Sequence, residues 1–448
     1  MRAAREGSTL NGMAGTQPPG RTLPRTDQLS ARDGLRALWT LRHGTAGLYE
    51  ALEVACRGLG PVFELGFGRF RPVVVASPGG LREALVERRE AFSWRPEGDP
   101  VARLFRRSIL VTDGEEHDRA RQAMAPAFEP ARLREQASAI VAIVDEEVGR
   151  WPAEGFIEPV EAMRRIAWRA FEQVFFGYRL GQEELEATLP GLHAALRYIG
   201  PGLWVLRGRA GAPPRRAALL EEHVRRVMAW RAEHGEPGAT LLDLLLAEFD
   251  TERVRDHALT MLIAGHDTST AQLSWALHLL ARHPEWLARA AREARAAPAG
   301  EELAALRGDG LPVIDAVLKE ALRLWPPIHV GGRRTVQEVE LDGYRLPAGQ
   351  RVMLSYLLVQ RDPAMWARAD VFDPGRWLNG GAPGPFTYVP FGGGPRNCIG
   401  AGFANLEGRL VLARILQLVD VAVTRRPLRG AMGATLEPRG GRLKVRRR

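Results

Sequence analysis

The stretch FGGGPRNCIG, residues 391–400, decides how the rest of the chain is read. It carries Cys398, one of only two cysteines in 448 residues; the other is Cys56. Gly392, Gly393, Gly394, Arg396 and Gly400 frame the sulfur, and Phe391 leads the loop. A thiolate is the nucleophilic and ligating form of cysteine, and it needs surroundings that favour negative charge. Glycines let backbone approach a flat ligand without Cβ clashes. Backbone N–H groups around the sulfur tune it by hydrogen bonding. Gly402 to Leu418 reads as a helix, which sets Cys398 at a helix N-terminus, where partial positive charge favours an anion. A single sulfur with no Cys or His nearby does not make a zinc site, which takes three or four protein ligands. It suits the axial position of a haem, whose equatorial positions are already filled.

The order Phe-x-x-Gly-x-Arg-x-Cys-x-Gly resembles the haem loop of the cytochrome P450 superfamily at every specified position. The resemblance implies that Cys398 is the iron's thiolate ligand and that Arg396 pairs with a haem propionate. It also implies that Phe391 and Gly400 belong to the cofactor's seat. The fold implied is mainly α with small β-sheets, the haem lying between a long central helix and the cysteine loop.

Residues 251–282 supply that helix, the longest uninterrupted helical pattern in the chain. At ~1.5 Å per residue it is about 48 Å long. Its middle, AGHDTST at 264–270, puts Gly265, Thr268, Ser269 and Thr270 where good helix formers belong. Such local violations mark function when the surrounding element is consistent. Gly265 and a back-bonding Thr are expected to loosen the ladder and open a groove for a diatomic ligand. Asp267 and Thr268 then supply an acid and a hydroxyl, the parts of a proton relay. The alternative is a pair of helix-surface polar residues. The resemblance extends here to the family's oxygen-activating motif, with Thr268 as alcohol, Asp267 as acid and Ala264 against the cofactor.

In GEEHDRARQAMAPAF, residues 114–128, His117 and Arg121 are four apart and share a helix face. Two donors on one face grip an anionic group; otherwise they form a solvated basic face. By resemblance they bind a haem propionate. PPIHVGGRRT offers Arg333 for the same purpose, with Arg334 as the adjacent alternative. Glu320 and Arg323, at i,i+3 on a helix over 312–324, permit an ion pair. Arg376 in FDPGRW is the third member of the triad that the resemblance implies, a structural lock behind the cysteine loop.

The remaining sequence bounds the reading. Hydrophobic content of 45% and charge of 26% are ordinary for a globular protein. Two cysteines give no disulfide framework and fit a reducing, cytoplasmic setting. The net charge of +9 is carried by arginine, with Lys319 and Lys444 the only lysines. Such a surface suits an acidic partner, and nothing resembles a nucleic-acid module. No apolar run approaches the ~20 residues of a membrane span, and no signal-peptide core is seen. Residues 1–35, polar and rich in Gly, Pro and Arg, are expected to be disordered or extended, with Met13 as an alternative start to Met1.

A single domain is expected over 36–448. It starts with a helix at 45–58, a hairpin of 61–67 with 71–77, and a helix at 78–92. Helices continue over about 130–250, and short strands fall at 338–346 and 350–355. The loop YIGPGLWVLRGRAGAPP, 198–214, mixes apolar residues with Gly and Pro. It reads as a lid, as a peripheral membrane contact through 198–206, or as a loop tucked into the core.

The P450 likeness covers about residues 36–445. It implies a haem-thiolate monooxygenase using O2, haem b and electrons from a separate ferredoxin or flavodoxin with its reductase. The stretches AGHDTSTAQLSWAL, LWPPIHVGGRR and FANLEGRLVL resemble soluble bacterial hydroxylases of carotenoid rings and fatty acids. A lipophilic substrate follows, a carotenoid or other isoprenoid first and a fatty acid second. The rivals are a peroxygenase, whose relatives usually lack the acid–alcohol pair, and a haem-binding sensor or carrier without turnover.

Overall fold

The computed structural model describes residues 22–43, 48–66, 70–94, 98–201, 209–235, 240–300, 303, 310–423 and 429–448. Helices α1 (Ala31–His43) and α2 (Leu48–Leu59) lead into strands β1 (Val62–Glu64), β2 (Val73–Val75) and β3 (Phe92–Ser93). Helices α3 (Gly114–Met124) and α4 (Ala137–Gly149), strand β4 (Glu154–Ile157) and helices α5 (Pro159–Phe171), α6 (Gln182–Ile199) and α7 (Ala218–His234) follow. The second half holds α8 (Thr251–Arg282), α9 (Pro312–Leu324), β5 (Val330–Thr335), β6 (Arg351–Ser355) and α10 (Ala401–Leu418). Strands β7 (Val419–Val423), β8 (Arg429–Met432), β9 (Leu436–Arg439) and β10 (Leu443–Arg447) close the chain.

Helix α8 is the axis of the molecule. Asp250 caps it, accepting from Arg253 N at 3.0 Å, and Pro284 stands beyond its end. From Val254 to Ala281 every residue is buried except Ala264, Gly265 and Thr268. Helix α5 packs along it at close range. A Cβ at Gly265 would stand 2.3 Å from the Phe171 ring, so this glycine answers to packing. The expected loosening is limited to a back-bond: Thr268 Oγ1 donates to Ala264 O at 2.7 Å while the helix continues through.

Two apolar cores result. The helical one gathers α4, α5, α8 and α10. The second lies on a five-stranded sheet in the order β1–β2–β6–β5–β3. The expected hairpin is present, Val62 pairing with Val75 and Glu64 with Val73 in antiparallel register. β2 runs parallel to β6, and the other neighbours are antiparallel. β10 joins β4 to β7, and β8 pairs with β9.

Two expectations need correction. The helix expected over 78–92 is α-helical only from Pro78 to Arg82; a wider π turn (Glu83–Glu87) and a 3-10 turn (Arg89–Ala91) replace the rest. The wide turn is where this segment meets the cysteine loop, through Leu85 and Gly394. The boundary at residue 35 falls inside α1. Ahead of it Arg25 bridges to Glu64, and Leu23 and Leu29 pack on the second core. Those two leucines anchor a segment whose average composition is polar. Residues 1–21 lie outside the described residues, as do 202–208 in the 198–214 loop.

Candidate active site

The cysteine loop is held by its own backbone. Cys398 N donates to Phe391 O at 2.9 Å and Asn397 N to Gly394 O at 3.0 Å. Helix α10 starts at Ala401 with Gly400 as its N-cap residue, two positions past the sulfur. Gly394 has φ +68°, and a Cβ there would stand 2.2 Å from Leu85 O. Gly393 would meet the Phe386 ring at 2.9 Å. Both glycines therefore let the loop seat on protein rather than on a ligand. Gly400 N–H hydrogen-bonds the sulfur, the tuning contact expected at a ligating thiolate.

The sulfur's surroundings pull two ways. Cys398 is exposed, yet burial pushes its thiol above the ordinary value, with Gly400 N–H and the Arg121 charge opposing. A recess reconciles the two: protein packs around most of the residue while one side stays open. Among the described residues no group of three or more His, Cys, Asp or Glu can hold a metal ion. An iron bound here must bring its own equatorial ligands.

Arginines gather beside the loop. Arg396 donates to Thr112 O, pairs with Asp113 at 3.1 Å and lies 4.8 Å from the centre of the Trp94 ring. Arg333 lies 3.5 Å from the same ring. Trp94 Nε1 is buried and has no hydrogen-bond partner. A buried orphan donor beside two guanidiniums suits an anionic group. Burial lowers the pKa of Arg396, with Arg89 and Arg121 acting the same way against Asp113 and Asp118. Along β5, Arg333 is buried and Arg334 half-buried. Strand alternation sends them to opposite faces, so Arg333 is the one that shares Trp94 with Arg396.

His117 and Arg121 are placed differently. Arg121 donates to Asn397 O at 2.8 Å and to Asn397 Oδ1 at 2.7 Å, tying α3 to the residue before the cysteine. His117 is buried, with Nδ1 2.8 Å from Asp118 Oδ1, and burial lowers its pKa.

On α8, the only accessible positions of its buried span are Ala264, Gly265 and Thr268, one patch of i and i+4 neighbours. Asp267 is buried, and both its oxygens are engaged: Arg164 donates at 2.8 Å and Thr435 Oγ1 at 2.9 Å. Arg164 also donates to Glu437 at 2.7 Å. Burial pushes Glu437 up to about 7 against the pull of Arg164. On the opposite side, Ser269 donates to Glu407 of α10 at 2.5 Å. Glu407 is fully buried, its Oε1 has no partner, and burial raises its pKa to about 8. Arg164, Thr435, Glu437 and Glu407 were not expected from the sequence.

The triad closes. Glu320 accepts from Arg323 Nε and Nη2 at 2.9 Å, from Arg376 Nε at 3.0 Å and from Trp377 Nε1 at 2.8 Å. Arg323 also donates to the carbonyls of Gln360 and Ala369. It pins the chain that runs towards the cysteine loop.

A concavity of about 420 Å³ lies elsewhere, lined by Ala127, Arg132, Leu133 and Val174 among others. None of the site residues above lines it, and its residues carry no matching chemistry.

An accessible cysteine thus stands ahead of α10, with α8 packed across that helix and arginines beside the loop. The family described as Cytochrome P450 matches residues 218–445. A putative cytochrome P450 135B1 from Mycobacterium tuberculosis is 32% identical over 92% of this chain and 88% of its own length. Cyclooctatin synthase from Streptomyces melanosporofaciens is 30% identical, covering 80% and 82%. A putative cytochrome P450 139 from Mycobacterium bovis is 26% identical, covering 82% and 90%. The chain belongs to the cytochrome P450 family and is a P450 monooxygenase, an oxidoreductase. The family works with haem iron, O2, redox partners and lipophilic substrates.

Proposed function

We propose that the chain from residue 22 to residue 448, α1 included, forms one domain that holds haem b through the Cys398 sulfur and hydroxylates a C–H bond of a carotenoid or another long isoprenoid. The observation that carries this is the accessible sulfur with the arginine–tryptophan cluster beside it. The haem, when bound, supplies the oxidative chemistry. The chain's residues bind, orient and move protons.

In this reading Arg333 and Arg396 receive the propionates, with Trp94 Nε1 as a further donor. His117 and Arg121 complete that side, and Arg121 also steadies Asn397. Ala264 would face the haem, and Phe391 and Gly400 would shape the seat of the sulfur. Thr268 is the alcohol and Asp267 the acid of the proton relay. Asp267 acts only by releasing one of its two partners, since both oxygens are engaged. Glu320, Arg323 and Arg376 are structural.

Electrons come from a ferredoxin or flavodoxin with its reductase; the net charge of +9 suits an acidic donor. The protein works in the cytoplasm without nucleic acid, with peripheral membrane contact through 198–206. The isoprenoid assignment is supported by the three stretches quoted above; the relative named for making cyclooctatin is compatible with it.

Reduced protein gassed with carbon monoxide should show the red-shifted absorption of a thiolate-bound haem, and Cys398→Ala should lose it. An unchanged spectrum in that variant rejects the reading. A Soret titration against carotenoids and fatty acids assigns the substrate; response to fatty acids alone makes this a fatty-acid hydroxylase. Thr268→Ala should uncouple electron use from product. A native chain that forms no product favours a sensor or carrier, and equal turnover with peroxide favours a peroxygenase.

A further inference from the structure

Helix α1 is packed with its polar side inward. Thr40 is its buried residue, and Asp33 and Ala37 are half-buried beside it. Asp33 faces the end of α2: a Cβ at Gly58 would stand 3.7 Å from its carboxylate. The outer side carries Leu35, Leu38, Trp39 and Leu41, which are 70, 63, 62 and 41% exposed. At 100° per residue these four span an arc of about 160°, as broad as the apolar face of a helix that normally seeks a core, and by position Arg42 falls inside it. Gly34 lies within that arc with nothing within 4 Å of its would-be Cβ. Arg32 and Arg36 are exposed along one edge.

Exposed apolar side chains on one helix face, edged and interspersed with arginine, mark an interaction site. Three occupants can be compared. Residues 1–21 hold few large apolar side chains and carry Arg2, Arg5 and Arg21 against a lone Glu6, so they match neither the face nor its charge. A second copy would set Arg32 and Arg36 against themselves. An anionic lipid surface offers both an apolar layer and negative charge, the combination that basic amphipathic helices take.

We propose that α1 docks the protein on an anionic lipid surface. Leu35, Leu38, Trp39 and Leu41 enter the boundary between headgroups and acyl chains, and Arg32 and Arg36 face the phosphates. The inference goes beyond the proposed oxidation and extends the peripheral contact suggested for 198–206 to a named helix. It gives a lipophilic substrate a layer from which to be drawn.

The test is flotation of the full-length holoprotein with vesicles of phosphatidylcholine alone or mixed with phosphatidylglycerol. The native chain should float with the mixed vesicles, less so at high salt. Leu38→Glu with Trp39→Glu should lower the bound fraction on the order of tenfold. Both side chains are exposed, so the fold should survive; an unchanged circular dichroism spectrum checks this. Arg36→Glu alone should weaken binding to mixed vesicles only. A native chain that floats with neither vesicle overturns the proposal, as does a double variant that binds like the native chain. A dimer in sedimentation equilibrium that the double variant dissociates would assign the face to a second copy instead. The carbon monoxide spectrum does not depend on vesicles, so this proposal and the haem reading fail separately.

Discussion

His223 on α7 makes the most quantitative case for a pH-dependent contact. It is fully buried between two carboxylates, with Nε2 2.6 Å from Glu172 Oε1 and Nδ1 3.1 Å from Glu184 Oε1. Glu172, also fully buried, follows the end of α5 and accepts from Trp168 Nε1 at 2.7 Å; Glu184 lies in the first turn of α6. Burial pulls the imidazolium down, but the charges and hydrogen bonds of Glu172 and Glu184 lift it to about 9 from an ordinary 6.5. The folded value is the higher one. The stabilisation is therefore complete below pH 6.5 and is lost as pH rises through 9. At 1.36 kcal/mol per pH unit, the gap between 6.5 and about 9 is about 3 kcal/mol. Urea unfolding of the native chain and His223→Gln at pH 6, 7.5 and 9.5 reads this directly. At pH 6 the variant should be weaker by about 3–5 kcal/mol, because Glu172 is left buried without its cation. The difference should shrink by about 3 kcal/mol by pH 9.5. A difference that stays constant across that range would refute the argument. Because His223 ties α7 to both α5 and α6, amide exchange in α6 should also quicken in the variant.

Glu407 should act in the same direction, over a lower pH range. Its folded value of about 8 exceeds the ordinary 4.5, so the native state holds an extra proton between those values and stability falls as pH rises through them. Glu407→Gln should flatten that slope, by a few kcal/mol over the interval, in the same urea assay; parallel slopes would contradict it. Glu320→Ala should cost about 3–5 kcal/mol by stranding the buried Arg323 and the half-buried Arg376, read as a lower urea midpoint. Gly265→Ala should cost about 1–3 kcal/mol from its clash with Phe171. Adding Phe171→Leu should recover part of that loss, and a purely additive double variant would show that the two do not touch.

Much of the frame was readable because its signals are local. The bounds of α8 match the expected 251–282, since Asp250 and Pro284 punctuate it. Glu320 and Arg323 meet at the i,i+3 spacing of one helix. The partners of Asp267 come from 103 and 168 residues away, where no spacing rule reaches. A weaker clue did exist. On α10, Glu407 is four residues after Phe403 and three before Leu410, inside the apolar stripe. On α5, Arg164 precedes Trp168 and Phe171 by four and seven residues, on the buried face. A charged residue on the core side of an amphipathic helix is costly unless paired, so each position announced a hidden partner without naming it. The glycines misled in the other direction. Gly265 suggested a ligand groove, but the Phe171 ring fills the space beside it.

The two sides of α8 differ in a way that bears on the proposed proton relay. Asp267 faces a guanidinium shared with Glu437. Ser269, two residues on, faces Glu407, which burial keeps largely protonated at neutral pH. An acid bonded to Arg164 beside Thr268 and a second acid beneath Ser269, which burial raises to about 8, lie within a single turn of the helix. Replacing either acid changes a different quantity: the first removes a counter-ion from Arg164, the second only a hydrogen-bond acceptor for Ser269. The structural cost should therefore be larger at Asp267, because the guanidinium it leaves behind is buried and charged.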